Sequence, residues 1–334
     1  FKKSNIPKRL IPGTIALGAF TFTMDALPGT PQIQNIIPTA FFKTNTWAAP
    51  WLGLIGGLFI LIVGMLYLEW RRRKAKNAGE GYGAGHINEP DEITSDSIPN
   101  ALLAVLPLLL VGVCNKLFTF YINKNYGVSF DFSALGIVGI APVEVPKMAA
   151  IWAVEAALVV GILAVLLLAF RRVKINIKHQ INISIGGALL ATLNTASEYG
   201  FGGVIAALPG FKLLNESLSS TVKDPLANEA ITITTLAGIT GSASGGLSIA
   251  LASMSETYLA SAAKVGITPD VLHRVASMAS GGMDTLPHNG AVITLLAITG
   301  LTHRQSYGDI FAMTLIKTVA VAFVIGIYYS TGIV

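Results

Sequence analysis

Three short stretches carry side chains that can hold an ion or hydrogen-bond a small solute, and each lies inside an apolar run. The first is Gly281-Gly282-Met283-Asp284-Thr285-Leu286-Pro287-His288-Asn289-Gly290, midway through residues 268–301. The second is Met24-Asp25-Ala26-Leu27-Pro28-Gly29-Thr30-Pro31-Gln32, inside residues 11–42. The third is Gly241-Ser242-Ala243-Ser244-Gly245-Gly246, inside 228–263. Proline lacks an N–H and its ring clashes with the preceding turn, so Pro287 and Pro28 should each break a helix. Irregular backbone at membrane depth survives only where it is buried in protein or lines a wet cavity. Ionisable groups there mark functional sites. A broken helix frees N–H groups at one half's start and C=O groups at the other's end. The N–H end attracts anions, and the carbonyls coordinate cations. Such breaks near the midplane are the usual sign of a secondary transporter's binding site.

Each group receives an expected role. Asp25 and Asp284 are proton carriers, because burial raises a carboxyl pKa. Either could instead cap the half-helix that follows it. Thr285, His288 and Asn289 contact a carboxylate solute from one side, and Thr30 and Gln32 from the other. Ser242, Ala243 and Ser244 form a hairpin tip that donates to a carboxylate or offers oxygens to sodium. No catalytic residue and no metal site is expected. His273 and Arg274 are expected at the membrane interface, and Glu155 inside a span.

The elements that must position these groups follow from composition. Of the 334 residues, 52% are hydrophobic and 12% charged, against roughly 25% charged in soluble domains. With repeated apolar runs of about 20 residues, the chain reads as an all-α polytopic membrane protein. The net charge of +5 is no nucleic-acid signature, since the basic residues flank apolar spans. Cys114 stands alone and forms no internal disulfide. The chain begins at Phe1, and an N-terminal portion is expected to precede it. Expected spans are 48–67, 98–121, 148–170 and 309–329, with an apolar element at 181–211 disturbed around Asn194, Thr195, Ser197 and Glu198. Residues 69–97 are charged and glycine-rich, and read as a cytoplasmic loop.

Placing the Arg71–Lys76 cluster in the cytoplasm puts Arg171, Lys174 and Lys2–Arg9 there too. Residues 228–263 are then either one tilted span or a re-entrant hairpin. The hairpin is preferred because it also places His303 and Arg304 inside. Met24-Asp25-Ala26-Leu27-Pro28 and Met283-Asp284-Thr285-Leu286-Pro287 share four of five residues. In this topology the two breaks run in opposite directions, as in an inverted repeat. Residues 1–68 are the end of the first repeat (broken helix 11–42 plus span 48–67). Residues 98–334 are the second, with hairpin 228–263 and broken helix 269–301.

The stretch from Gly241 to Tyr307, together with Pro7 to Pro38, resembles the gluconate permease (GntP) family of the ion transporter superfamily. The resemblance implies a dimeric bacterial inner-membrane symporter of small organic anions, without cofactor, whose transport domain moves like an elevator. It implies a hairpin tip at Gly241–Gly246 and broken helices at Leu27–Gln32 and Asp284–Gly290. A first hairpin has no counterpart here. The sugar-acid permeases carry a His- and Pro-rich motif at the first break, where this chain has Leu27-Pro28-Gly29-Thr30-Pro31-Gln32. That departure points away from gluconate towards short hydroxy- or keto-acids such as 3-hydroxybutyrate. Proton coupling follows the family, while serine and backbone oxygens also suit sodium. Two rivals are an intramembrane serine protease using Ser242 or Ser244 with His288 as base, and a passive anion channel.

Overall fold

The computed structural model describes residues 1–89, 100–137, 139, 141–175, 177–211, 213, 217 and 221–334. The first broken element divides into α1 (Ile11–Ala19), a single turn α2 (Phe22–Asp25) and α3 (Ile33–Phe42). Helix α4 (Pro50–Asn77) follows. It runs ten residues past the end expected at 67, into sequence assigned to the loop. Glu69 holds it there by pairing with Arg72 and Arg73 one turn on. Arg71 pairs with Asp309. Residues 90–99 of the expected loop lie outside the described residues.

Helices α5 (Ala101–Asn125) and α6 (Val145–Ile175) flank a small antiparallel pair, β1 (Ser129–Phe130) and β2 (Val143–Glu144). Strands were not expected in an all-α chain. Helix α7 (Ile177–Ala207) runs unbroken through Asn194–Gly200, correcting the expected disturbance there. In a helix their backbone groups bond one another, so the polar side chains alone do not interrupt it. The side chains of Asn194, Thr195 and Glu198 lie outside the described residues. Then come α8 (Pro225–Thr240), α9 (Ala243–Lys264), α10 (Pro269–Ser280), α11 (Gly290–Thr299) and α12 (His303–Thr331). His303 and Arg304 open α12 rather than forming the turn before it. Thr302 and Gln305 make a capping box there. Among the described residues four helices, α4, α5, α6 (from Met148) and α12, are long and apolar enough to cross a membrane.

The contacts give the molecule two ends. At the basic end, Arg9 and Arg71 meet Asp309. Lys8 donates to Ile87 O (2.7 Å), and Asn88 donates to Ala297 O (2.9 Å) at the end of α11. Helix α12 then runs antiparallel to α4, with Phe59 stacked on Phe323 at 4.5 Å. Its far end meets the start of α8, where Tyr329 donates to Asp224. The end of α3, the start of α4 and the start of α10 share that opposite end, joined through His273 and Arg274. Element α1–α3 thus runs from the basic end to the opposite end, and α10–α11 runs back.

Helices α8 and α9 form a tight hairpin. Gly241 sits at φ +65° and Ser242 is extended, which reverses the chain. A Cβ on Gly246 would overlap the backbone of Leu236 and Ala237, so only glycine permits this approach. The hairpin starts at Asp224 and ends before Pro269, both at the opposite end. Its tip points inward to the two breaks. A continuous core runs through α4, α8, α9, α10 and α12, built on Leu52, Ile233, Leu247, Leu272 and Ile310.

Candidate functional site

Both breaks have local causes. At the first, Pro28 and Pro31 cannot donate to a preceding turn. Gly29 adopts φ +75° with its α-carbon against the Trp47 ring, where a side chain would overlap. At the second, residues 281–289 separate α10 from α11, with Pro287 near the centre. Asp284 does not cap the following half-helix. Asn289 does, accepting from Val292 N at 3.0 Å while its Nδ2 donates to Gly241 O at 2.6 Å. That side chain ties the second break to the hairpin tip.

A cavity of about 580 Å³ lies where the two breaks and the hairpin tip meet. Three helix N-termini line it. They are Gln32, Ile33 and Gln34 from α3, Ser242, Ala243 and Ser244 from α9, and Asn289, Gly290 and Ala291 from α11. The first N–H groups of each helix have no intrahelical partner, and each end carries about half a positive charge. Phe20, Met24, Leu295 and Ile298 supply apolar wall, and Asp284 and Thr285 complete the polar lining. Such a lining suits a small solute with one anionic group and a short apolar body.

Of the expected solute contacts, Gln32, Ser242, Ala243, Ser244, Thr285 and Asn289 line this cavity, and Asp284 joins them. Thr30 and His288 do not. Thr30 is turned away, donating to Thr23 O at 2.7 Å. His288 is exposed on the outer side of the break, with Nε2 3.2 Å from Gly238 O. Of the two serines a protease reading would use, Ser242 Oγ accepts from Gly245 N at 3.1 Å and lies 3.5 Å from Ser244 Oγ, and among the described residues neither is hydrogen-bonded to His288. Asp25 also lies off the cavity. It is buried against Gly281, and among the described residues neither carboxylate oxygen has a hydrogen-bond partner. Its charged neighbours are Lys317, Asp284 and Arg274.

Gln34 and Lys317 were not anticipated, and His273 and Arg274 lie elsewhere than expected. Gln34 lines the cavity, and its buried Oε1 has no partner among the described residues. The glutamine was in view two positions after Gln32, but only the start of α3 shows that both belong to one first turn. Lys317 on α12 pairs with Asp284 and donates to Phe20 O at 2.9 Å, so one ammonium joins the end of α1 to the second break. A lone lysine inside an apolar span was the available signal. Arg274 is wholly buried, not interfacial as expected. It donates to Ala48 O (2.7 Å), Asp25 O (3.2 Å) and Asn35 Oδ1 (3.1 Å). His273 beside it is also fully buried, between Thr44 Oγ1 and Asn35 Oδ1. The interfacial expectation failed because these groups pair with the end of the first broken element, which is distant in sequence.

Apolar helices of spanning length around a cavity lined by helix N-termini at interrupted helices define a helical membrane transporter. A comparison with known proteins agrees. The chain is 60% identical over 342 aligned positions to the "Uncharacterized transporter YxjC" of Bacillus subtilis, covering 100% of this chain and 72% of the relative. The chain belongs to the same transporter family as that protein. No family profile matches it. No solved structure matches it either.

Proposed function

We propose that the protein is a secondary active transporter that couples an inward proton gradient to uptake of small organic monocarboxylates, such as 3-hydroxybutyrate or gluconate, across the bacterial inner membrane. The observation that carries this reading is the convergence of three helix N-termini on one cavity. Their unpaired N–H groups can receive a carboxylate without a fixed cation in the lining. Gln34, with its unpartnered Oε1 and its amide N–H₂, adds a group for a substrate hydroxyl.

The site belongs to an inverted-repeat architecture like that of the gluconate permease family. In its favour, the broken elements run in opposite directions and Asp25 meets Gly281 where they cross. The α8–α9 hairpin, with both ends on one side, is the re-entrant hairpin of the second repeat (98–334). Residues 1–68 close the first. The chain is multi-pass, and a homodimer is the expected assembly. Asp25 carries the coupled proton, since its buried carboxylate oxygens accept no hydrogen bond. Sodium coupling is the alternative.

The test is uptake of labelled 3-hydroxybutyrate into proteoliposomes, with proton and sodium gradients imposed separately and gluconate as competitor. Accumulation driven by the proton gradient is expected. Uptake that only equilibrates, whatever gradient is imposed, would refute coupling and leave a passive pathway.

A further inference from the structure

The α1–α2 break leaves Phe20 O without a helical donor, since Thr21 leaves the helix at φ −130°, ψ −124°. The second break brings Asp284 to the same place. A carboxylate and a break carbonyl are the ligand types by which interrupted transporter helices hold a coupling cation. Here a side chain fills that position. Lys317 Nζ pairs with Asp284 Oδ1 and donates to Phe20 O at 2.9 Å. The lysine is 1% exposed. It is held from above by its own helix, where Thr314 Oγ1 meets Thr285 Oγ1 at 2.5 Å and Thr318 donates to Gly282 O at 2.8 Å. These bonds pin α12 along the second break, so the ammonium is placed rather than merely nearby.

We propose that Lys317 is a tethered cation that occupies an alkali-cation site between the two breaks, so that the transporter works without sodium. A buried Asp284 carboxylate needs a counter-charge at this depth. A diffusible sodium ion would supply it only while bound, and its binding would then be obligatory for transport. Lys317 supplies it permanently. This inference rests on the transport reading for its meaning and narrows the choice of coupling ion, leaving Asp25 as the free carboxylate of the pair of breaks.

The test is sodium binding to the purified full-length chain, in sodium chloride against choline chloride. It is read by radiolabelled sodium binding and by the midpoint of thermal unfolding. The wild type should show no saturable sodium binding and the same midpoint in both salts. Lys317→Ala should bind sodium saturably and unfold at higher temperature in sodium chloride. Its affinity should exceed the wild type's by at least about a hundredfold, because unit charges about 4 Å apart repel strongly even at an effective dielectric of about 20. Adding Asp284→Asn should abolish that binding. If the alanine variant does not fold, Lys317→Gln removes the charge while keeping a donor for Phe20 O, and the same sodium effect is expected. Sodium binding by the wild type that Asp284→Asn abolishes would overturn the proposal. So would a folded Lys317→Ala or Lys317→Gln protein indifferent to sodium. Because ion binding is read without transport, failure to find a transported carboxylate would count against the proposed function and leave this result standing.

Discussion

Arg274→Met removes the cation that ties α10 to the first broken element while keeping a side chain of similar length. The guanidinium reaches Ala48 O twice (2.7 and 3.2 Å), Asn35 Oδ1 (3.1 Å), Asp25 O (3.2 Å) and Thr46 O (3.5 Å). These acceptors are not equally exposed to the loss. Thr46 O keeps Gly29 N and Asn35 Nδ2, Asp25 O keeps Ser277 Oγ, and Asn35 Oδ1 keeps His273. Among the described residues Ala48 O accepts only from Arg274, and would lose a charged donor outright. Stranding one buried acceptor costs about 1–3 kcal/mol, and charged hydrogen bonds contribute about 1.5–3 kcal/mol each. Relief of the arginine's own burial offsets part of the total. A net loss of about 3 kcal/mol is therefore expected. At about 2–4 °C per kcal/mol for a large domain, the unfolding midpoint should fall by about 6–12 °C. Tryptophan fluorescence in detergent reads this directly, since Trp47 packs on Gly29 beside the arginine's partners. Arg72→Met, which removes a solvent-exposed pair with Glu69, is the control and should leave the unfolding midpoint nearly unchanged. An Arg274→Met midpoint within about 2 °C of the wild type would refute the view that this arginine ties α10 to the first broken element.

Asp284→Asn strands the buried Lys317 ammonium, so it should lower the unfolding midpoint and stop carboxylate accumulation; wild-type uptake with wild-type pH dependence would remove Asp284 from the mechanism. Gly246→Ala should lower the unfolding midpoint, by roughly 1–3 kcal/mol of overpacking, because the new methyl meets backbone that cannot rotate away. Gly186→Ala on α7, with open space around it, should raise stability by about 0.5–1 kcal/mol through helix propensity alone; equal effects at both glycines would contradict the hairpin packing. At the basic end, Arg9 pairs with Glu80 through both carboxylate oxygens (2.6 and 2.7 Å), holding that carboxyl below its ordinary value of 4.5. A depressed folded-state pKa means that the pair's contribution is present above pH 4.5 and is lost as pH falls below it. Glu80→Gln should erase that acid-side slope, which is worth less than about 1 kcal/mol because the pair is largely solvated.

Composition and local chemistry alone determined much of this protein. Charge scarcity and apolar run length gave the helical membrane class, because a bilayer admits few other solutions. Pro28, Pro287 and the Gly241–Gly246 cluster located both breaks and the hairpin turn, because proline and glycine act on the backbone within a residue or two of where they stand. Helix ends were less legible. The Glu69 pairs and the Arg71–Asp309 contact carry α4 past its apolar stretch, and Asn194 to Gly200 remain helical despite their polarity. What the tertiary structure decided was which side chains face one another across about 230 to 300 positions of chain. Lys317 against Phe20 O, Arg274 against Asn35, and the turning of Thr30 and His288 away from the cavity have no local signature. They depend on the angle at which two broken helices cross, and that angle is set by the packing of the whole bundle.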